Sequence, residues 1–225
     1  DQGSDSFKIE KDTNNFDYDN KVINLLEKSK KPAVVLGLEN LIDDTSEVLS
    51  KISNILNCPI LVTYKAKGII PDQNNNLVGI FTGGKAEQVS ISESDLIILI
   101  GLDPVELILQ PWPYNIPVLN ISLIEHQVHY VNADANLLGD LNFNLKKYLQ
   151  YFTRSIWKKT EIKYFKDQIK SKLNFPSDNL LNPQSMVENA QVFSKNNPRV
   201  SVDAGAHMFS ATAFWNASNP FDLLI

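Results

Sequence analysis

The sequence predicts an α/β fold built on a doubly wound parallel sheet, and three observations carry that prediction. Continuous apolar runs recur: Pro32-Ala33-Val34-Val35-Leu36-Gly37-Leu38, Pro59-Ile60-Leu61-Val62, Leu96-Ile97-Ile98-Leu99-Ile100 and Pro117-Val118-Leu119-Asn120-Ile121-Ser122. Strands read this way when helices cover both faces of a parallel sheet. Segments with apolar residues at helical spacing separate the runs. Three runs end in a glycine or a polar loop, at Gly37, Thr63-Tyr64-Lys65 and Gly101. Open α/β sheets keep their ligands along that carboxyl edge, so the pattern is Rossmann-like.

The elements follow in order. Residues 1–19 are polar and read as a leading linker. From Asn20 to Lys30, Val22, Ile23, Leu25 and Leu26 share a broad face, which predicts a short helix. After the strand at 32–38, Asp43 and Asp44 offer N-caps to a helix with Val48, Leu49, Ile52, Ile55 and Leu56 on one side. The strand Ile60 to Thr63 runs into the loop TYKAKGIIPD, residues 63–72. A turn at 74–76, the apolar piece Leu77 to Phe81 and the turn Thr82-Gly83-Gly84 come next, then a short helix from Lys85 to Ser92. Strands at 95–101 and 117–122 follow, and Leu138-Gly139-Asp140 leads into a helix from Asn142 to Phe152.

Residues 153–182 read as a helical linker, broken at 175–179. A second α/β unit starts at 183. Asn182 caps its first helix, Pro183 suits the first helical position, and Met186, Val187, Ala190 and Phe193 make the expected buried face. A strand from Arg199 to Val202, the turn Asp203-Ala204-Gly205-Ala206-His207 and a helix from Met208 to Trp215 complete it. So small a unit closes no core alone. The strand is therefore expected to find its neighbours beyond Ile225, and residues 183–225 are expected to be the least stable part. Met208, Phe209, Phe214 and Trp215 would lie uncovered.

Bulk properties narrow the function. The chain has 225 residues, is 43% hydrophobic and carries a formal charge of -5. The densest basic stretch, Lys158 to Lys172, alternates with Glu161 and Asp167, which reads as a solvated helix face and argues against nucleic acid. One cysteine, Cys58, excludes an internal disulfide; its apolar setting predicts a buried structural thiol. No apolar run reaches the ~18 residues of a membrane span, and the expected setting is cytoplasmic with no membrane partner. His126 and His129 lie three apart, but no third ligand joins them, so the reading is a surface loop and no metal site.

The succession KPAVVLG, CPILVTYKAKGIIPD, VGIFTGG, ESDLIILIGLDPVE and LLGD resembles the central domain of thiamine-diphosphate-dependent enzymes, among them acetolactate synthases and related 2-oxo acid decarboxylases. The likeness covers residues 20–152. RVSVDAGAHMFSATAFW resembles the opening of their third domain, which binds the cofactor's diphosphate and magnesium. The resemblance implies a full-length parent with thiamine diphosphate and magnesium, a small 2-oxo acid as substrate, and homo-oligomeric assembly. It also implies that the activating glutamate and the magnesium motif lie outside these residues. The chain alone is then expected to be inactive and to hold no catalytic residue.

The resemblance places Ala204, Gly205, Ala206 and His207 near the diphosphate, with His207 as a donor. A glycine after a strand lets backbone N–H groups approach a phosphate, and the following helix aims its positive end there. The plain alternative is an ordinary strand-to-helix turn. It also suggests a possible nucleotide crevice at Gly37, Lys67, Gly68 and Gly101, where some members hold FAD and others ADP. The alternative for Lys67-Gly68 is a structural turn, with Pro71 as a rigid exit. Glu39 and Asp103 bring negative charge to that edge, and Leu102-Asp103-Pro104 stands where FAD-binding members carry an arginine. Both departures argue against FAD. Three readings remain: part of a thiamine-diphosphate enzyme, a nucleotide-binding module, or a domain kept for packing alone.

Overall fold

The computed structural model describes residues 15–107, 111–127, 130–173, 181–194 and 198–225. Of the linker expected at 1–19, residues 1–14 lie outside the described residues, whereas 15–19 are helical; the break at 175–179 and His129 also lie outside them. Six parallel strands form the main sheet: β1 (Pro32–Leu36), β2 (Ile60–Thr63), β3 (Leu77–Phe81), β4 (Leu96–Ile100), β5 (Val118–Ser122) and β6 (Ala135–Leu138). Their spatial order is β3-β2-β1-β4-β5-β6. The chain winds outward from β1 to β3, then restarts on the other side of β1 at β4. The reversal between β1 and β4 is the topological switch point. Register aligns Leu36 with both Val62 and Ile100, so three strands end level there.

Helices α1 (Asn15–Lys28), α2 (Glu39–Ile42), α3 (Ser46–Leu56), α4 (Gln88–Ile91), α5 (Leu141–Tyr148) and α6 (Lys159–Leu173) connect or cover the strands. Every residue of β1, β2 and β4 is buried, as their unbroken apolar runs require. Cys58 is fully enclosed, and burial pushes its thiol far above the ordinary range, so it packs as a small apolar side chain. Among the described residues no helix is long and apolar enough to cross a membrane.

Several expectations need correction. Asp43 and Asp44 do not cap α3, because Thr45 holds the N-cap position and makes no side-chain cap bond. Asp43 instead accepts from the Asn142 backbone N–H at 3.0 Å, and its carbonyl accepts from the Asn142 amide. Strand β6 was not foreseen. It alternates, with Ala135 and Leu137 buried and Asn136 and Leu138 exposed, which is an edge strand with one face open.

The segment expected as a helical linker is helical, and it also belongs to the core. Ile162, Phe165 and Ile169, at i, i+3 and i+7, are buried with Trp157, whose Nε1 donates to the Pro32 carbonyl at 2.9 Å. Backbone bonds from Ser155 to Leu56 and from Ile156 to Lys30 strap the segment across the sheet.

The last unit comprises α7 (Pro183–Phe193), β7 (Val200–Ser201), α8 (Ala206–Phe214) and β8 (Leu223–Leu224). Asn182 caps α7, as the sequence suggested, and with Ser185 it forms a full capping box. The expected buried face of α7 is open: Met186 is 54% exposed and Phe193 81%. An apolar stripe is buried only where something receives it, and the helix that α7 packs on is α8. Two tail expectations also fail, the second in part, since Phe209 is 46% exposed as expected. Strand β7 finds a parallel partner within the chain, β8. Phe214 and Trp215 are 7% and 5% exposed, because α8 packs beside β3 and α6 of the central sheet.

Candidate functional site

The switch point is closed by the two glycines that mark it. A Cβ on Gly37 would stand 2.3 Å from the Gly101 carbonyl oxygen and 2.4 Å from the Leu102 Cα. Gly101 has a φ of 63°, which disfavours any side chain, and Asn40 fills the space beside it. The Asn40 amide donates to the Gly37 carbonyl at 2.9 Å and to the Ile100 carbonyl at 2.6 Å. Strand ends that would otherwise face a ligand are thus bonded to one another through a buried amide.

Two buried carboxylates complete this edge. Glu106 follows β4 on a 3-10 turn at Pro104–Glu106, which the Asp103 side chain caps by accepting from the Val105 N–H. Glu106 accepts from the Leu38 N–H at 3.0 Å and from the Thr63 hydroxyl at 2.8 Å, joining the ends of β1, β2 and β4. Burial pushes its carboxyl up to about 7, against the pull of those two donors. Glu39 accepts from the Leu123 N–H at 2.8 Å and sits 2.8 Å from His126 Nε2. Burial raises Glu39 as well. His126 is therefore no surface-loop residue: its side chain is 15% exposed, with Asp103 Oδ1 at 3.8 Å from Nδ1. Its partner is 87 positions away in sequence, where spacing rules do not reach.

Glu106 makes a pH prediction. In the unfolded chain its carboxyl titrates near the ordinary 4.5, and in the fold near 7. Between those values the folded state holds the extra proton. Its contribution to stability is full at the acid end and is lost as pH rises toward 7. Glutamine at 106 still accepts from Leu38 and can donate to the Thr63 hydroxyl, with no charge at any pH. Thermal melts from pH 5 to 8 should show the native chain losing roughly 3 kcal/mol more than Glu106→Gln, which should be the more stable protein at the basic end. Parallel slopes for the two proteins would refute this.

Lys67 and Gly68 stand elsewhere, against the tail. Lys67 is 3% exposed, with Nζ 2.8 Å from Asp72 Oδ2. The same Asp72 oxygen accepts from the Ala217 N–H at 2.6 Å, and the Asp72 N–H donates to the Ala217 carbonyl at 3.0 Å. Gly68 has a φ of 92°, and a Cβ there would lie 2.1 Å from the Asn219 carbonyl oxygen. Two lysines, a glycine and a proline follow a buried strand in this sequence because the loop turns sharply and clasps residues 217–219.

The turn 204–207 opens α8. Gly205 takes the N-cap place with no side-chain cap, and Ala206 and His207 are the first helical residues, whose N–H groups have no intrahelical acceptor. Gly205 is extended, so space rather than backbone angle favours glycine: a Cβ would lie 2.8 Å from the His207 ring. Ala204, Ala206 and His207 are exposed.

Sequence reasoning passed over Asn40, Asp72 and Glu106. The one local signal was Glu106, a carboxylate between Val105 and Leu107.

Residues 20–148 match the family description "Thiamine pyrophosphate enzyme, central domain". The chain is 27% identical over 136 residues to a probable acetolactate synthase large subunit of Methanococcus aeolicus, covering 58% of this chain and 23% of that protein. It is 23% identical over 216 residues to the acetolactate synthase large subunit of Buchnera aphidicola subsp. Schizaphis graminum, covering 89% of this chain and 37% of that protein. It is 25% identical over 138 residues to 2-hydroxyacyl-CoA lyase 1 of Mus musculus, covering 59% and 23%. The chain spans 23% to 37% of the length of these curated relatives. With the six-stranded parallel sheet and the family match over more than half its residues, this chain belongs to the thiamine pyrophosphate enzyme family and contains its central domain.

Proposed function

We propose that this chain is part of a thiamine-diphosphate-dependent 2-oxo acid decarboxylase or carboligase resembling acetolactate synthase. In this reading residues 20–152 are the central domain, 153–182 the connection, and 183–225 the opening of the diphosphate-binding domain. One observation carries it. Similarity to the Buchnera aphidicola acetolactate synthase large subunit runs through 89% of this chain, past the central domain, yet accounts for 37% of that protein. The full-length protein is then a cytoplasmic homo-oligomer acting on a small 2-oxo acid.

Thiamine diphosphate, when bound, supplies the electron sink that lets a 2-oxo acid lose its carboxyl group. This chain's part is positional. The N–H groups of Ala206 and His207 stand exposed at the positive end of α8, and the absent side chain at Gly205 leaves room for the His207 ring. That donor set fits a diphosphate. It is a set of N–H donors, not of the oxygen ligands that magnesium takes. Magnesium and the activating glutamate are assigned to other parts of the parent. FAD is not assigned to the switch point, which Asn40, Glu39 and Glu106 fill and where Asp103 adds charge.

The test is turnover. The purified chain with pyruvate, thiamine diphosphate and magnesium should release no carbon dioxide and form no acetolactate. The chain extended by its flanking coding sequence should do both. Turnover by the 225 residues alone would overturn the reading. A reading frame that encodes neither a glutamate-bearing domain before nor a magnesium motif after would leave a packing domain as the answer.

A further inference from the structure

Positive charge gathers where the central sheet meets the tail. Strand β3, α6 and α8 border a cavity of about 160 Å³, smaller than the ~300–1,000 Å³ of pockets for drug-sized ligands. Lys67, Lys166 and Lys170 line it, with Asp72 and, from α7, Glu188. The two carboxylates are already engaged. Asp72 holds Lys67 Nζ at 2.8 Å and accepts the Ala217 N–H, and Glu188 accepts from the Gln184 amide at 3.0 Å. Asp167, beside Lys166 in sequence, pairs with Lys163 at 2.8 Å.

Lys166 is the group left over. Its Nζ donates to the Asp72 backbone carbonyl at 3.2 Å, and it pairs with no carboxylate among the described residues. Two ammonium groups thus meet at one residue, Lys67 from the loop after β2 and Lys166 from α6, and only Lys67 has a counter-charge there. Burial, opposed by Asp72 and reinforced by Lys67 and Lys170, holds the Lys166 amine below the ordinary lysine range. An ammonium carries three donors, and the Asp72 carbonyl takes one. What complements a half-buried cation with donors to spare is an anion small enough for the cavity.

We propose that this cavity binds a small oxyanion, a carboxylate or a phosphate, through Lys166 with help from Lys170, and that the bound anion fastens the tail to the central sheet. Ala213 and Phe214 of α8 form one wall, so a released tail dismantles the site. An anion that binds only the docked form must then slow release. The inference does not rest on the parent enzyme's reaction. Its site also lies at the opposite end of α8 from Ala206 and His207, to which the diphosphate is assigned.

Inorganic phosphate and acetate, compared with chloride at equal ionic strength, test it on the whole chain. In NMR titrations the amides of Gly79, Ile80 and residues 213–216 should shift and saturate with at least one of the two oxyanions, and chloride should move them less. At an anion concentration about ten times the dissociation constant, exchange of the Val200 and Val202 amides should slow about tenfold. Lys166→Met keeps the aliphatic stem and removes the charge. It should leave the backbone spectrum that of the folded chain and weaken the oxyanion about tenfold or more. Lys170→Met, at an exposed position, should weaken it less. Chloride acting as strongly as the oxyanions would reduce the effect to screening and overturn the proposal. So would undiminished binding by Lys166→Met, tail exchange unchanged at saturation, or no binding of either oxyanion.

Discussion

Asparagine at position 72 is expected to release residues 198–225 from the central sheet while leaving the sheet folded. Asp72 and Lys67 form a buried ion pair, with side chains 13% and 4% exposed. Removing one partner of such a pair costs about 3–5 kcal/mol, because the other charge stays buried without compensation. The chain can rehydrate Lys67 by letting go of what lies over it. Lys67 shares a cavity wall with Phe214 and Asn216, and the bonds from Asp72 to Ala217 are the tail's nearest anchor. Hydrogen exchange should therefore show amides at 200–202 losing protection, with those at 96–100 little changed. The double variant Lys67→Met with Asp72→Asn removes both charges and should recover part of the loss. Equal destabilisation of sheet and tail, or none, would show that the clasp does not hold the tail.

Alanine at position 37 should act on the sheet itself. The added Cβ meets backbone atoms of residues 101 and 102 at 2.3 and 2.4 Å, and no side-chain rotation relieves that. Strands β1 and β4 must part where the Gly37 N–H donates to the Ile100 carbonyl and the Glu39 N–H to the Gly101 carbonyl. Overpacking of this kind costs ~1–3 kcal/mol or more, and two rigid backbones put this case at the top of that range. A Tm about 6–12 °C lower should result. Gly139→Ala is the control: its φ of 100° carries strain, yet a Cβ there meets nothing within 4 Å. Its effect should be near ~1 kcal/mol. If the two variants melt alike, contact at the switch point is not what makes position 37 small.

The contrast between these positions shows what the sequence could and could not say. Strands β1, β2 and β4 were legible because burial on both faces leaves an apolar run that needs no partner to be recognised, and β5 because four of its five residues are buried. Strand β6 was not, since four alternating residues carry too short a period. Glycines 37 and 101 marked the sheet edge correctly. What closes that edge, Asn40 with Glu106 and His126 with Glu39, depends on hydrogen bonds spanning 43 to 87 positions. Lys67-Gly68 was readable as a turn with special backbone geometry. Its partner, Ala217 bonded to Asp72, lies 145 positions on, and no local pattern announces it. The stripe on α7 was read correctly as apolar, but periodicity does not tell whether a face is covered.

The central claim is that a closed central domain carries an appended unit that is only partly covered. Met186, Val192 and Phe193 on α7 lie more than half exposed, and β7 and β8 pair over only two residues each. Each large aromatic left in water forgoes several kcal/mol, at ~25 cal/mol per Å² over ~150–250 Å². Native-state hydrogen exchange on the unmodified chain measures the difference directly. Amides of β4, at 96–100, should exchange only through global unfolding. The amides of Val200 and Val202, which donate to the Asp222 and Leu224 carbonyls, should exchange by local opening on the order of a hundredfold faster. Equal protection at the two places would show that residues 183–225 share the core of the central sheet, and would contradict the account.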